Sequence, residues 1–186
     1  MVIRNVNTEK MHFCKISDLG LMKGNNMNKR NSIYLELKMI AEKSSIDFDS
    51  QFLHLGRGLD CGELCIEYDN EEGYILFAYD RDLKTYYYST KDIEKFKYVV
   101  FSQLCEHNGF KYELSYRRKN GSILYDDNNL DSDTRKIAFE YALYQLNKIN
   151  PEWMKITIPK YEELLNKWRD NKNVKFDSHK MKFNNL

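Results

Sequence analysis

Between Ile33 and Lys43 the apolar residues Ile33, Leu37, Ile40 and Ala41 fall three or four apart, which places them on one face of a helix that Ser32 can cap. The thirty residues before this segment lack such a period, and Lys23 to Arg30 (KGNNMNKR) reads as a loop. After a second loop ending at Glu63 the pattern shortens to a strand at Leu64 to Tyr68, turn residues from Asp69 to Gly73, and a strand at Tyr74 to Tyr79. A third strand, Lys84 to Ser89, sets Tyr86 and Tyr88 on one face and Tyr87 on the other, because strand side chains alternate. These three strands predict an antiparallel meander.

The period lengthens again at Ser89-Thr90-Lys91-Asp92, a hydroxyl followed three residues later by an acid, as at a helix start. Ile93, Phe96, Val100 and Leu104 then form a helical stripe, and Asn108-Gly109 reads as its stop. Phe110 to Arg118 fits either a strand or continued helix, with strand preferred, and Lys119 to Asp133 is a polar loop. From Asp133 to Lys148 the stripe Phe139, Leu143 and Leu146, widened by Ala142 and Tyr141, predicts another helix. Pro151 and Pro159 each suit a helix N-terminus, the second helix burying Tyr161, Leu164, Leu165 and Trp168.

The expected fold is therefore α+β: a small antiparallel sheet, a meander of about three to four strands, packed against several α-helices, with the C-terminal half mainly helical. Residues 1–169 read as a single domain and residues 170–186 as a polar, mobile tail. With 42% hydrophobic and 14% aromatic residues, the 186-residue chain can build its own core.

Charge narrows the partners. Twenty-nine Lys and Arg stand against 28 Asp and Glu, a net +1, so no field of one sign would draw nucleic acid to the whole surface. No apolar run approaches the roughly 20 residues that span a bilayer. Four cysteines and no leader-like N-terminus read as reduced thiols in a cytoplasmic protein. The tail residues Lys172, Lys175, Lys180 and Lys182, interleaved with Phe176 and Phe183, leave open a small RNA-binding or regulatory protein, since phosphates attract cations and bases stack on rings.

Catalytic sets do not assemble from this composition. Cys61 and Cys65 lack the second close pair that tetrahedral zinc uses, and only a coincidence of folding would add His12 and Cys14. Cys105 and His107 stand two apart, which on a helix points them to different faces. Glu71-Glu72 and Asp126-Asp127 lie in polar turns with no apolar shell to raise a carboxyl pKa. The reading is a non-enzyme with no cofactor and no metal.

One ordered set of features remains. It comprises the hairpin ending in Tyr79-Asp80-Arg81, the aromatic helix Asp92 to Leu104, Tyr112-Glu113-Leu114 followed by Arg117, Asp133-Thr134-Arg135 with Phe139 and Leu146, and Asn150-Pro151-Glu152-Trp153. From Glu72 to Leu165 this order resembles the bacterial polymorphic-toxin immunity family, immunity protein 63. The resemblance implies an antidote made beside its toxin, a contact-dependent or secreted effector, which it neutralises by direct binding, as a monomer or weak homodimer when free. Tyr86 and Tyr88, as interface-favoured tyrosines, and Asp126, Asp127 and Asp131, as carboxylates facing a cationic nuclease toxin, are the expected contact residues. Glu113, Arg117 and Arg135 match the family pattern, and an internal ion-pair network is the preferred reading over a place in the interface.

Overall fold

The structure, a computed structural model, describes residues 16–56, 58, 61–121, 124–127, 129–167, 169 and 172–185. His12, Cys14 and Trp168 lie outside these residues.

Helix α1 runs Ile16–Lys43. Its predicted stripe is buried at Ile33, Leu37 and Ala41. The Asn-rich stretch expected as a loop is part of the same helix. Arg30 pairs with Glu67, and Lys29 donates to Tyr68 Oη at 2.9 Å while lying over that ring. These contacts with the sheet outweigh a local propensity that for Asn and Gly falls below that of Ala by only about 1 kcal/mol or less per residue.

Strands β1 (Leu53–Leu55), β2 (Cys61–Asp69), β3 (Gly73–Asp80) and β4 (Leu83–Thr90) form one sheet in that order. The meander of β2, β3 and β4 is antiparallel as predicted, and β1 adds a short parallel edge, which makes the sheet mixed. Asp69 accepts the amides of Glu71 and Glu72 to close the first hairpin. In the second, Arg81 and Asp82 both have positive φ, the backbone that matches a two-residue turn to strand twist. Ile66, Leu76 and Tyr88 stand opposite one another on the face covered by the helices, and Leu64, Ala78 and Tyr86 form the next row.

Helix α2 spans Ile93–Asn120, capped by Asp92, whose carboxylate accepts the amides of Glu94 and Lys95 at 3.0 and 3.1 Å. The helix does not stop at Asn108-Gly109 as predicted but continues, and Phe110 to Arg118 is helical, not a strand. Gly109 serves packing here rather than termination. A Cβ at this position would lie 2.2 Å from Ala138 O. The true stop is Gly121, at φ 84, whose amide donates to Arg117 O.

A 3-10 turn at Leu130–Ser132 leads to α3 (Arg135–Ile149), which buries Phe139, Ala142, Leu143 and Leu146 as expected. Helix α4 is a single element, Pro151–Asn166, with Pro159 inside it rather than two helices meeting there. Tyr161 and Leu165 are fully buried on it, and the Tyr161 ring stacks on Phe139 at 4.2 Å. Packing of this kind, worth about 1.5–3 kcal/mol per buried large side chain, offsets the proline penalty.

The segment expected as a mobile polar tail carries a hairpin, β5 (Val174–Asp177) and β6 (Lys182–Asn185). Val174 and Phe183 are fully buried, so two apolar residues in a polar stretch suffice to seat it. Asn166 bonds both the amide and the carbonyl of Val174, and the amides of Phe176 and Phe183 donate to Glu162 and Glu140. The two phenylalanine rings pack on each other at 4.9 Å, Phe183 fully buried and Phe176 partly so.

The loop after α1 is pinned to α2 by charge. Lys111 Nζ reaches Asp47 and Asp49 at 3.1 and 3.0 Å, and His107, stacked on Phe52, faces Asp49 at 3.2 Å. Burial alone would raise the Asp49 carboxyl, but hydrogen bonds from Lys111, the Gln51 amide and His107 hold it down at about 2.

Two predictions follow from these contacts. Gly109→Ala should lower stability by about 1–3 kcal/mol in thermal or urea unfolding, through overpacking, although Ala is the better helix former by about 1 kcal/mol. An unchanged or raised midpoint would contradict the contact with α3. A carboxyl depressed from about 4 to about 2 stabilises the fold above its ordinary pKa and loses that contribution as pH falls toward 2. Asp49→Asn should therefore cost about 2 kcal/mol at neutral pH, and the gap from wild type should close between about pH 4 and about pH 2.

Candidate partner-binding surface

Where α2 and α3 touch at Gly109, the residues three positions further along each helix, Tyr112 and Tyr141, stack face to face at 4.4 Å and 6°. Tyr112 remains 47% exposed, and beyond it Leu114 and Tyr116 are also exposed. An exposed aromatic row on a rigid helix pair offers large contact area at small entropic cost.

Two cavities flank this stack, and both are lined by Tyr112 and Tyr141. The larger, of about 510 Å³, adds Tyr116, Asp131, Lys136, Glu140 and Lys182. The smaller, of about 180 Å³, adds Asp47, Asn108, Lys111, Ser115 and Gln145. Burial pushes the Glu140 carboxyl up, partly countered by the Phe183 amide that donates to it. The ion pair with Lys136 pushes the exposed Asp131 carboxyl down.

The expected contact residues divide between two places. Asp126, Asp127 and Asp131 are exposed on the loop leading to α3, and Asp131 lines the larger cavity. Buried Arg169 holds the backbone of this loop, donating to Asp127 O at 2.9 Å, while Ser132 Oγ accepts the amide of Asp126. Tyr86 and Tyr88 belong instead to β4, half-buried against the core, whereas Tyr87 is the exposed member of the trio, bonded to Glu72 and covered by Lys84 at 4.3 Å. The alternation was as read, with the helices covering the face that carries Tyr86 and Tyr88.

Glu113, Arg117 and Arg135 resolve into two ion pairs. Buried Glu113 meets Arg117 one turn later in α2 at 2.6 Å. Arg135 grips Asp133 with two nitrogens at 2.9 and 2.7 Å, and Arg169 lies 3.6 Å from the same carboxylate. Tyr112, Tyr116, Tyr141, Asn108 and Gln145 were not anticipated as a group. Reading Asn108 to Tyr116 as helix would have shown 108, 112 and 115 to 116 on one face.

Cys105 is fully buried, and burial pushes its thiol up, away from the thiolate that nucleophilic chemistry uses. His107 faces Asp49 and Phe52. Among the described residues no three His, Cys, Asp or Glu side chains are gathered as a metal ion would require, and no helix is long and apolar enough to cross a membrane.

No curated protein and no solved structure matches the chain. The family model of immunity protein 63 matches residues 69–163, just over half of the sequence, and takes in β3, β4, α2, α3 and most of α4. Helices α2 and α3, which carry the stacked tyrosines, lie within that span, and on this match the chain belongs to the immunity protein 63 family.

Proposed function

We propose that this chain neutralises a cognate toxin by direct binding in the cell that makes both, and that the toxin docks on the α2–α3 cleft. Membership in the immunity protein 63 family carries the first half of this reading. The cleft supports the second, since it sets exposed tyrosines, on helices fixed by close backbone packing, beside the Asp131 end of an acidic loop. Tyrosines in such a setting act as anchors, and the carboxylates of Asp126, Asp127 and Asp131 favour a basic toxin surface, as on a nuclease. The toxin would be a contact-dependent or secreted polymorphic effector, met by a monomeric antidote in the cytoplasm. Inhibition needs no chemistry from the antidote, only an interface of roughly 1,600 Å² with a few buried anchors.

Co-expression with the toxin gene adjacent to this one tests the reading. Wild type should rescue growth and co-elute with the toxin on size exclusion. The double variant Tyr112→Ala, Tyr116→Ala should keep its fold and lose at least about tenfold in affinity, which is about 1.4 kcal/mol. Death of the cells without any complex would sink the immunity reading, and full affinity in the double variant would move the docking surface elsewhere.

A further inference from the structure

Two features of the loop before α3 lower the stability of the fold, so stability does not account for them. Leu124 is 91% exposed, more than any other large apolar side chain among the described residues, and Tyr125 beside it is 49% exposed. The same loop is held by Arg169, whose side chain is almost wholly buried next to Asp133 and donates to the carbonyl of Asp127 at 2.9 Å. Its Nε is buried without a hydrogen-bond partner. Withdrawing a guanidinium from water is unfavourable, and an unbonded buried donor makes it more so. Where a fold departs from its own rules in this way, function is the usual reason.

What the buried groups secure is a shape. Ser132, also buried, accepts the Asp126 amide through its Oγ at 2.8 Å, the Asn129 amide closes a turn onto the Asp126 carbonyl at 3.0 Å, and Tyr125 shares a side-chain hydrogen bond with Asp127. Tyr125 to Asp127 are therefore held before any partner arrives, and little conformational freedom is left to lose on binding. The loop also joins the aromatic cleft, because Asp133, which interacts with Tyr125, lines the larger cavity together with Tyr112 and Tyr116. Apolar side chains scattered singly over a surface need no explanation. A leucine and a tyrosine side by side on a fixed loop, next to two further exposed tyrosines, form a patch.

We infer that Leu124 and Tyr125 are a preformed wedge that enters an apolar recess of the bound partner. The exposed carboxylates of Asp126 and Asp127 follow directly in the chain, so the rim of that recess is basic. Leu124 contributes the apolar area that the complex removes from water, and Tyr125 adds a ring whose hydroxyl already has its hydrogen bond. That the partner is a toxin rests on the immunity reading.

Binding of the toxin to surface-immobilised full-length chain, followed in time, tests the wedge. Leu124→Ser should leave the melting temperature of the free chain unchanged and weaken the complex about tenfold through faster dissociation, whereas Leu124→Met should keep wild-type affinity. The pair Asp126→Asn, Asp127→Asn should slow association, and its difference from wild type should shrink as salt rises from about 50 to about 500 mM. Full affinity in Leu124→Ser, or an equal loss in Leu124→Met, overturns the wedge and leaves the immunity reading standing. Unchanged association in the Asn pair overturns the basic rim. A wild-type chain that forms no complex with the toxin removes the wedge and the immunity reading together.

Discussion

The contact between Gly109 and the Ala138 carbonyl sets how closely α2 and α3 approach, and most of the C-terminal half is arranged around it. With a side chain at that point the helices would have to part until a Cβ, placed 2.2 Å from that oxygen by the present backbone, reached ordinary van der Waals contact. The ring stack of Tyr112 on Tyr141 and the edge contact of Phe110 on Phe139 both depend on the spacing that the glycine allows. Phe139 in turn stacks on Tyr161, so the same approach positions α4. One residue without a side chain thereby links the core to the aromatic surface above it.

Charged groups then fix the parts that apolar packing reaches least. Lys111 and His107 draw the loop after α1 onto α2. Arg169, almost wholly buried, holds the loop before α3 by its carbonyls and lies close to Asp133. Arg169 and Asp133 are almost wholly buried and Asp49 largely so, which leaves their contacts less screened by salt than the exposed Lys111–Asp47 pair. They explain how a chain with 31% charged residues can have ordered loops around a modest core.

Elements whose signal is local were legible in the sequence. The Ile33, Leu37 and Ala41 stripe, the hairpin turn at Asp69, the alternation of Tyr86, Tyr87 and Tyr88, and the helix start near Asp92 depend on neighbours within a few residues. Gly109 was misread because its reason for being glycine is a carbonyl 29 positions away. Reading a stop there also hid the helical face of Asn108, Tyr112 and Tyr116, so the cleft could not be assembled. Residues 23 to 30 and 174 to 185 misled for a related reason. Each is polar by composition, and each is held by partners that only the folded chain brings near, Glu67 and Tyr68 for the first and Glu140, Glu162 and Asn166 for the second.

The C-terminal hairpin and the acidic loop meet at one cavity, lined by Asn129, Leu130 and Asp131 from the loop and by Phe183, Asn184 and Asn185 from the hairpin. Arg169 sits between α4 and β5 and grips the loop from below, while Lys182 of β6 lines the same cavity as Asp131. Shortening the chain after α4 would therefore do more than shed an end. It would release the floor of the acidic rim and withdraw one of the lysines in its wall, so that the length of the C-terminus becomes a means of tuning the cleft without altering either of the helices that form it.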